Sequence, residues 1–279
     1  MRRLGPAAAV AVVLAGLSLT MAACGGGDGT NRSEAYKPPK GGGGAFVLEE
    51  WGPARPQDRF AYKVFKIGGV MGAVTKQLNN TFELPRDIEV VMASTNIGPA
   101  YVPDRHTIYV GYPFINTVFN TFSQAYPNIT PGQLGTKTAQ VMAFVLYHEI
   151  GHALIDQLHI PQTGREEDAV DNLATVINVQ DNRNGGQFAL SFADFFSLLQ
   201  QAPSSLTVAD FWDEHSLDAQ RAFDVVCHVY GSDPQAYKYL ASFIPPERRV
   251  RCPDEWKQIS SSWNELLAPH EKQSGDASQ

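Results

Sequence analysis

A largely apolar run, Ala139-Gln140-Val141-Met142-Ala143-Phe144-Val145-Leu146-Tyr147, leads into His148-Glu149-Ile150-Gly151-His152 and continues through Ala153-Leu154-Ile155-Asp156-Gln157-Leu158. Its length and the apolar residues Phe144, Val145, Ile155 and Leu158 suit a packed helix, read here from Gly135 to His159. Any fold built around this helix must bury two histidines and a glutamate. Polar groups buried without partners are costly, so other segments must supply those partners. Residues four apart lie one turn above each other on a helix, so His148 and His152 can each put one ring nitrogen on a single Zn²⁺. Glu149 then projects beside the ion, where it can take a proton from water in the open coordination position. Gly151 costs about 1 kcal/mol against alanine inside a helix, so a packing or functional reason for it is expected.

A catalytic zinc takes three protein ligands, so a third should follow. The helix ends near His159-Ile160-Pro161, Gln162-Thr163-Gly164 makes a turn, and a second helix opens at Arg165-Glu166-Glu167-Asp168. An acidic cluster there would by itself favour the positive end of a helix. That explains the cluster but not the return of a carboxylate at Asp171, one turn after Glu167 and on the same face. The two helices together resemble the gluzincins, metallopeptidases in which a glutamate on the next helix binds zinc and an aspartate one turn later supports a histidine ligand. The resemblance implies one Zn²⁺ per chain on His148, His152 and Glu167, with Asp171 orienting His148 or His152 through its free ring N–H. Glu166, Asp168 and Asp171 stay open as alternative third ligands.

The next polar island is Phe211-Trp212-Asp213-Glu214-His215-Ser216-Leu217-Asp218-Ala219-Gln220-Arg221. Hydrolysis of a peptide builds negative charge on its carbonyl oxygen, which His215 or Arg221 could stabilise. The spacing of these two is similar to the His-Pro…Arg element of the CAAX-prenyl endopeptidases, with Ser216 in place of the proline. A plainer reading has Ser216 capping a helix that begins at Leu217, with His215 merely exposed. On the substrate side, Ile88–Met92 and Thr107–Tyr112 read as strands, with residues 96–105 connecting or bordering them. In zincins an edge strand above the motif helix binds extended peptide by strand augmentation, a part Ala100 and Tyr101 could play; a simple hairpin explains them as well.

The N-terminus carries Arg2 and Arg3, an apolar run from Ala7 to Leu19, and Met21-Ala22-Ala23-Cys24. This is similar to a bacterial lipoprotein signal peptide over residues 1–23, with Cys24 as the lipidated first residue; the run is too short to span a membrane. The expected product is exported and held at the outer face of the bacterial cell membrane through Cys24. Residues 24–44 are glycine-rich and polar, a flexible tether. With Cys24 lipidated, Cys227 and Cys252 remain as a pair that an oxidising compartment would join; buried free thiols or metal ligands are the alternatives. A domain over residues 45–268 and a disordered tail over 269–279 complete the division. The net charge of −7 argues against a nucleic-acid partner.

Strands cluster before the motif and helices follow it, which predicts an α+β fold: a small sheet on a helix-rich, zincin-like domain. The expected helices run over Gly69–Phe82, Gly135–His159, Glu166–Gln180, Leu190–Gln201 and Leu217–Tyr230, with shorter ones to Leu267. From Asp87 to Leu267 the chain resembles a bacterial “putative metallopeptidase” family, many of whose members are exported. HEIGHALIDQL and Pro161-x-x-Gly164-Arg165-Glu166-Glu167-Asp168-Ala169 carry the resemblance. Weaker matches are His215-Ser216-Leu217-Asp218 with Gln220-Arg221, and Cys227 before Tyr230-Gly231-Ser232-Asp233-Pro234. It implies a zinc endopeptidase acting on a peptide or protein substrate, with Glu149 as base. Two other functions fit the same residues: a catalytically silent surface-binding protein on a zincin scaffold, and a zinc amidase of cell-wall material.

Overall fold

A computed structural model of the protein describes residues 43–181, 184–200 and 206–272. The signal segment, Cys24 and the tether up to residue 42 lie outside the described residues, as does the tail from 273 onward. The architecture is mixed α+β, mostly helical, with one four-stranded sheet. In chain order come β1 (Phe46–Glu50), α1 (Arg59–Gly68), α2 (Val70–Thr81), β2 (Ile88–Ala93), β3 (Ala100–Val102) and β4 (Thr107–Gly111). After the strands follow α3 (Tyr112–Ala125), α4 (Pro131–Leu158), α5 (Glu166–Asp181), α6 (Gly185–Leu199), α7 (Val208–Trp212), α8 (Asp218–Ser232), α9 (Pro246–Arg249) and α10 (Cys252–Leu267).

The sheet order is β1-β2-β4-β3. β1, β2 and β4 run parallel, with Leu48 and Ile108 both opposite Val90, and β3 pairs antiparallel with β4, Tyr101 opposite Ile108. Central β2 is buried on both faces except at Glu89, which is why it reads as a nearly continuous apolar run. Strand β3 lies at the edge of the sheet.

α4 is the axis of the helical part. Thr130 and Gln133 form a capping box at its start and Pro131 stands in its first turn, so it begins four residues before the predicted Gly135. Every residue from Val141 to Gly151 is buried, because α2, α3, α5, α6 and β3 all pack on this helix. A Cβ on Gly151 would stand 2.8 Å from Val170 Cγ1. Gly151 therefore lets α5 approach α4 closely at Val170, and the acidic start of α5 comes up to the two histidines. Farther along, Cys227 of α8 and Cys252 of α10 form a disulfide with Cα atoms 5.2 Å apart. It closes a loop of 25 residues and stabilises by about 3 kcal/mol on a chain-entropy argument.

The expected tail is corrected at its start. Residues 270–272 are not loose: Glu83 N–H donates to His270 O at 2.8 Å, and Lys272 N–H donates to Thr81 O at 2.8 Å. At the other end Gly44 N–H donates to Leu84 O, so the ordered chain begins inside the expected tether. Helices α1 and α3 were not anticipated. α3 is rich in aromatic and β-branched residues, but its buried Tyr112, Ile115, Val118 and Phe122 recur at helical spacing.

Candidate metal centre

The site is assembled from α4, the first turns of α5 and the segment between α7 and α8. His148 Nδ1 lies 2.8 Å from Asp171 Oδ1, and His152 Nδ1 lies 2.8 Å from Glu166 Oε1. Carboxylates on Nδ1 take the ring proton of a neutral imidazole there and leave Nε2 with a bare lone pair. The two Nε2 atoms face each other at 3.3 Å. Glu167 completes a triangle, with Oε2 3.1 Å from His148 Nε2 and Oε1 3.4 Å from His152 Nε2. Glu167 Oε2 is buried, with the Nε2 atoms of His148 and His215 at 3.1 and 2.9 Å as its polar neighbours. Two ring nitrogens and a carboxylate held this close have the donor set of a cation site. A tetrahedral ion with bonds of about 2.0–2.1 Å has ligand–ligand edges of roughly 3.3 Å, close to the Nε2–Nε2 separation and to the approach of each ring to its nearer Glu167 oxygen.

Charge around the triangle points the same way. Burial alone would lower the His148 pKa, but the charge and hydrogen bond of Asp171, with Glu167 and Glu149 behind it, raise it above the ordinary value. Burial acts on His152 too, and Glu166, Glu167 and Glu149 outweigh it and lift the ring to about 10. Burial would raise Glu167, yet the facing imidazoles of His148, His152 and His215 hold it far below the usual carboxylate range. The cluster is short of positive charge, which a proton or a metal ion could supply. Glu149 is buried on α4 between the two histidines.

Asp171 is itself fixed. Arg221 donates from Nε to Oδ2 at 2.6 Å and from Nη2 to Oδ1 at 2.8 Å, while its guanidinium lies over the Phe196 and Phe192 rings at 4.5 and 5.4 Å. Burial would raise the Asp171 pKa, but Arg221 and then His148 hold it well below the carboxylate range. Arg221, expected beside a reacting carbonyl, is thus engaged one layer behind the triangle. His215 is brought to its rim, with Nε2 2.9 Å from Glu167 Oε2 and Nδ1 3.2 Å from Asp213 Oδ1. Ser216 does not cap α8; its hydroxyl donates to Asp168 Oδ1 at 2.7 Å, and Leu217 is the N-cap residue. That bond ties the His215 segment to α5.

Among the alternatives for the third ligand, Glu166 and Asp171 sit on the far ring nitrogens and Asp168 on Ser216, leaving Glu167 at the triangle. Sequence reasoning did not foresee Asp213 on His215, nor Glu214, whose carboxylate joins Glu167 and His215 in a second group of closely spaced ligand atoms. An Asp two residues before a histidine is too common a pattern to have singled out Asp213.

Comparison with known proteins bears on the site. The model of a family described as “Putative metallopeptidase” matches residues 52–267, well over half of the chain and every residue of the cluster. No curated protein and no solved structure matches it.

Proposed function

From the premise that the chain belongs to this metallopeptidase family, we propose that it is a zinc-dependent endopeptidase of the gluzincin type, with a zincin-like arrangement of sheet and motif helix. The observation that carries the reading is the triangle of His148 Nε2, His152 Nε2 and a Glu167 carboxylate with edges of 3.1 to 3.4 Å. Two nitrogens and one oxygen suit Zn²⁺, and three protein ligands leave a position open for water. When bound, Zn²⁺ supplies Lewis acidity and makes water acidic enough to give up a proton near neutral pH.

The chain's own residues do the rest. Glu149 accepts the proton of the attacking water and passes it to the leaving amine. His215, steadied by Asp213, turns its Nε2–H from Glu167 Oε2 to the carbonyl oxygen as the charge there grows. Asp171 fixes the His148 ring, and Arg221 acts through Asp171 as a positioning residue. Extended peptide adds to the free edge of β3, which Tyr101 fastens to the motif helix: its hydroxyl donates to Asp156 Oδ2 at 2.7 Å, one turn past His152. The lipoprotein-like N-terminus supports a lipid anchor at Cys24 on the outer membrane face, so substrates are extracellular peptides or proteins.

Metal analysis of the purified protein beside His152→Ala and Glu167→Ala tests the site. One zinc per chain, lost in both variants, is expected; a folded, zinc-supplemented wild type without metal would overturn it. Glu149→Gln should retain zinc and lose cleavage of a peptide library, and a fully active variant would refute the assigned base.

A further inference from the structure

Each of the three histidines in the cluster is held the same way. A carboxylate sits on Nδ1 (Asp171 for His148, Glu166 for His152, Asp213 for His215), and Nε2 faces Glu167. Asp213 Oδ1 also accepts the backbone N–H of His215 at 2.9 Å, which fixes it beside the ring. Carboxylate-backed imidazoles of this kind are what metal-binding histidines use. The third ring nevertheless does not belong to the first ion. The His148 and His152 ring centroids are 5.0 Å apart, close to the roughly 5 Å of two imidazoles on one tetrahedral ion. Those of His148 and His215 are 6.4 Å apart, with the rings nearly parallel.

His215 instead has companions of its own. Ligand atoms from Glu167, Glu214 and His215 lie within 4.8 Å of one another, a group that shares only Glu167 with the first. The two oxygens of Glu167 are already divided, Oε1 facing His152 and Oε2 facing His148 and His215. One carboxylate can thereby serve two ions, which in two-metal sites stand about 3.5–4 Å apart. Glu214 is exposed and the His215 side chain is 21% exposed, so an ion reaches this position from solvent. One imidazole and two carboxylates suit Zn²⁺. The hold is weaker than at the first site, because Glu214 is solvated, Glu167 is shared and the first ion repels a second.

We propose that Glu167, Glu214 and His215 form a second, weaker divalent-cation site that zinc fills when in excess, and that filling it inhibits hydrolysis. The inhibition rests on the endopeptidase reading: an ion on His215 Nε2 displaces its proton to solvent, and the donor meant for the substrate carbonyl is lost. The test is equilibrium dialysis of the full-length, zinc-loaded protein against added ZnCl₂, beside cleavage of the peptide library. Wild type should take up a second ion about tenfold or more weakly than the first, with cleavage falling over the same zinc range. Glu214→Gln should keep the tight ion, weaken the second step about tenfold or more, and move the inhibition with it. Asp213→Asn should weaken the second step about tenfold. His152→Ala should do the reverse, losing the tight step and keeping the weak one. A single step in wild type with the tight zinc in place would overturn this site and leave the endopeptidase reading standing. A second step that Glu214→Gln leaves unchanged would overturn it too, and a second ion that leaves cleavage unchanged would overturn its inhibitory role. A protein that takes up both ions and cleaves nothing would instead refute the endopeptidase reading and keep the second site.

Discussion

His148 and His228 are buried to the same degree, 5% and 6% exposed, and yet they are driven in opposite directions. His148 has Asp171 on Nδ1 and Glu167 at Nε2, and its pKa is raised in spite of burial. His228, one residue from the disulfide, has a buried Nδ1 with no partner. Burial takes it down to about 4, because Glu255 opposes that only weakly and is already paired with Arg248 at 2.6 Å. Burial alone therefore makes a neutral, inert histidine. The carboxylates of α5 convert the same side chain, at the same depth, into one that seeks a positive charge.

The largest break in this contrast comes from removing the central carboxylate. Glu167→Ala should abolish tight zinc binding, read by elemental analysis, while thermal unfolding shows a folded protein. Next is Asp171→Asn, which leaves Arg221 buried without its anion. A stability loss of about 3–5 kcal/mol is expected in denaturant unfolding, with zinc affinity down about 10- to 100-fold in a competitive chelator titration. Glu166 is nearly half exposed on its side chain, so Glu166→Gln should weaken zinc binding by less than Asp171→Asn does in the same titration.

pH sharpens the contrast because its signs differ. In the metal-free protein the raised pKa of His152 contributes stability that is complete below about 6.5 and is lost as pH rises towards about 10. Zinc affinity should climb over that same window, since binding displaces protons; calorimetry in buffers of different ionisation enthalpy measures their number. The lowered pKa of His228 works at the other end. The unfolded chain takes up its proton first, so stability falls as pH drops from about 6.5 to about 4. His228→Asn should flatten that acid limb, an effect of about 3 kcal/mol. An unchanged limb would show that His228 is paired in solution.

The cluster of His148, His152 and Glu167 was legible because helix spacing is local: His148, Glu149 and His152 share one element, and Glu167 and Asp171 share the next. Which carboxylate serves which histidine was not legible. That depends on the rotation of α5 against α4, set by the Gly151–Val170 contact, and no spacing within one helix encodes it. Arg221 illustrates the same limit. Its six-residue distance from His215 suggested a shared task, but α8 turns its guanidinium back onto Asp171. In the sheet, β2 and β4 stood out as apolar runs, whereas three-residue β3 has too little sequence to show a period. α3 was hidden because its aromatic and β-branched content is that of a strand.

The hydrogen bonds of Gly44 and Lys272 reach beyond the local fold. The chain enters through a contact with Leu84 and leaves through one with Thr81, so both ends of the folded body meet four residues of one connection. A short linker could join residue 44 to residue 272, and new ends could be opened at an exposed loop. For the same reason a mechanical load applied at either end first reaches that small staple at the end of α2, and the helices that carry His148, His152 and Glu167 stand behind it.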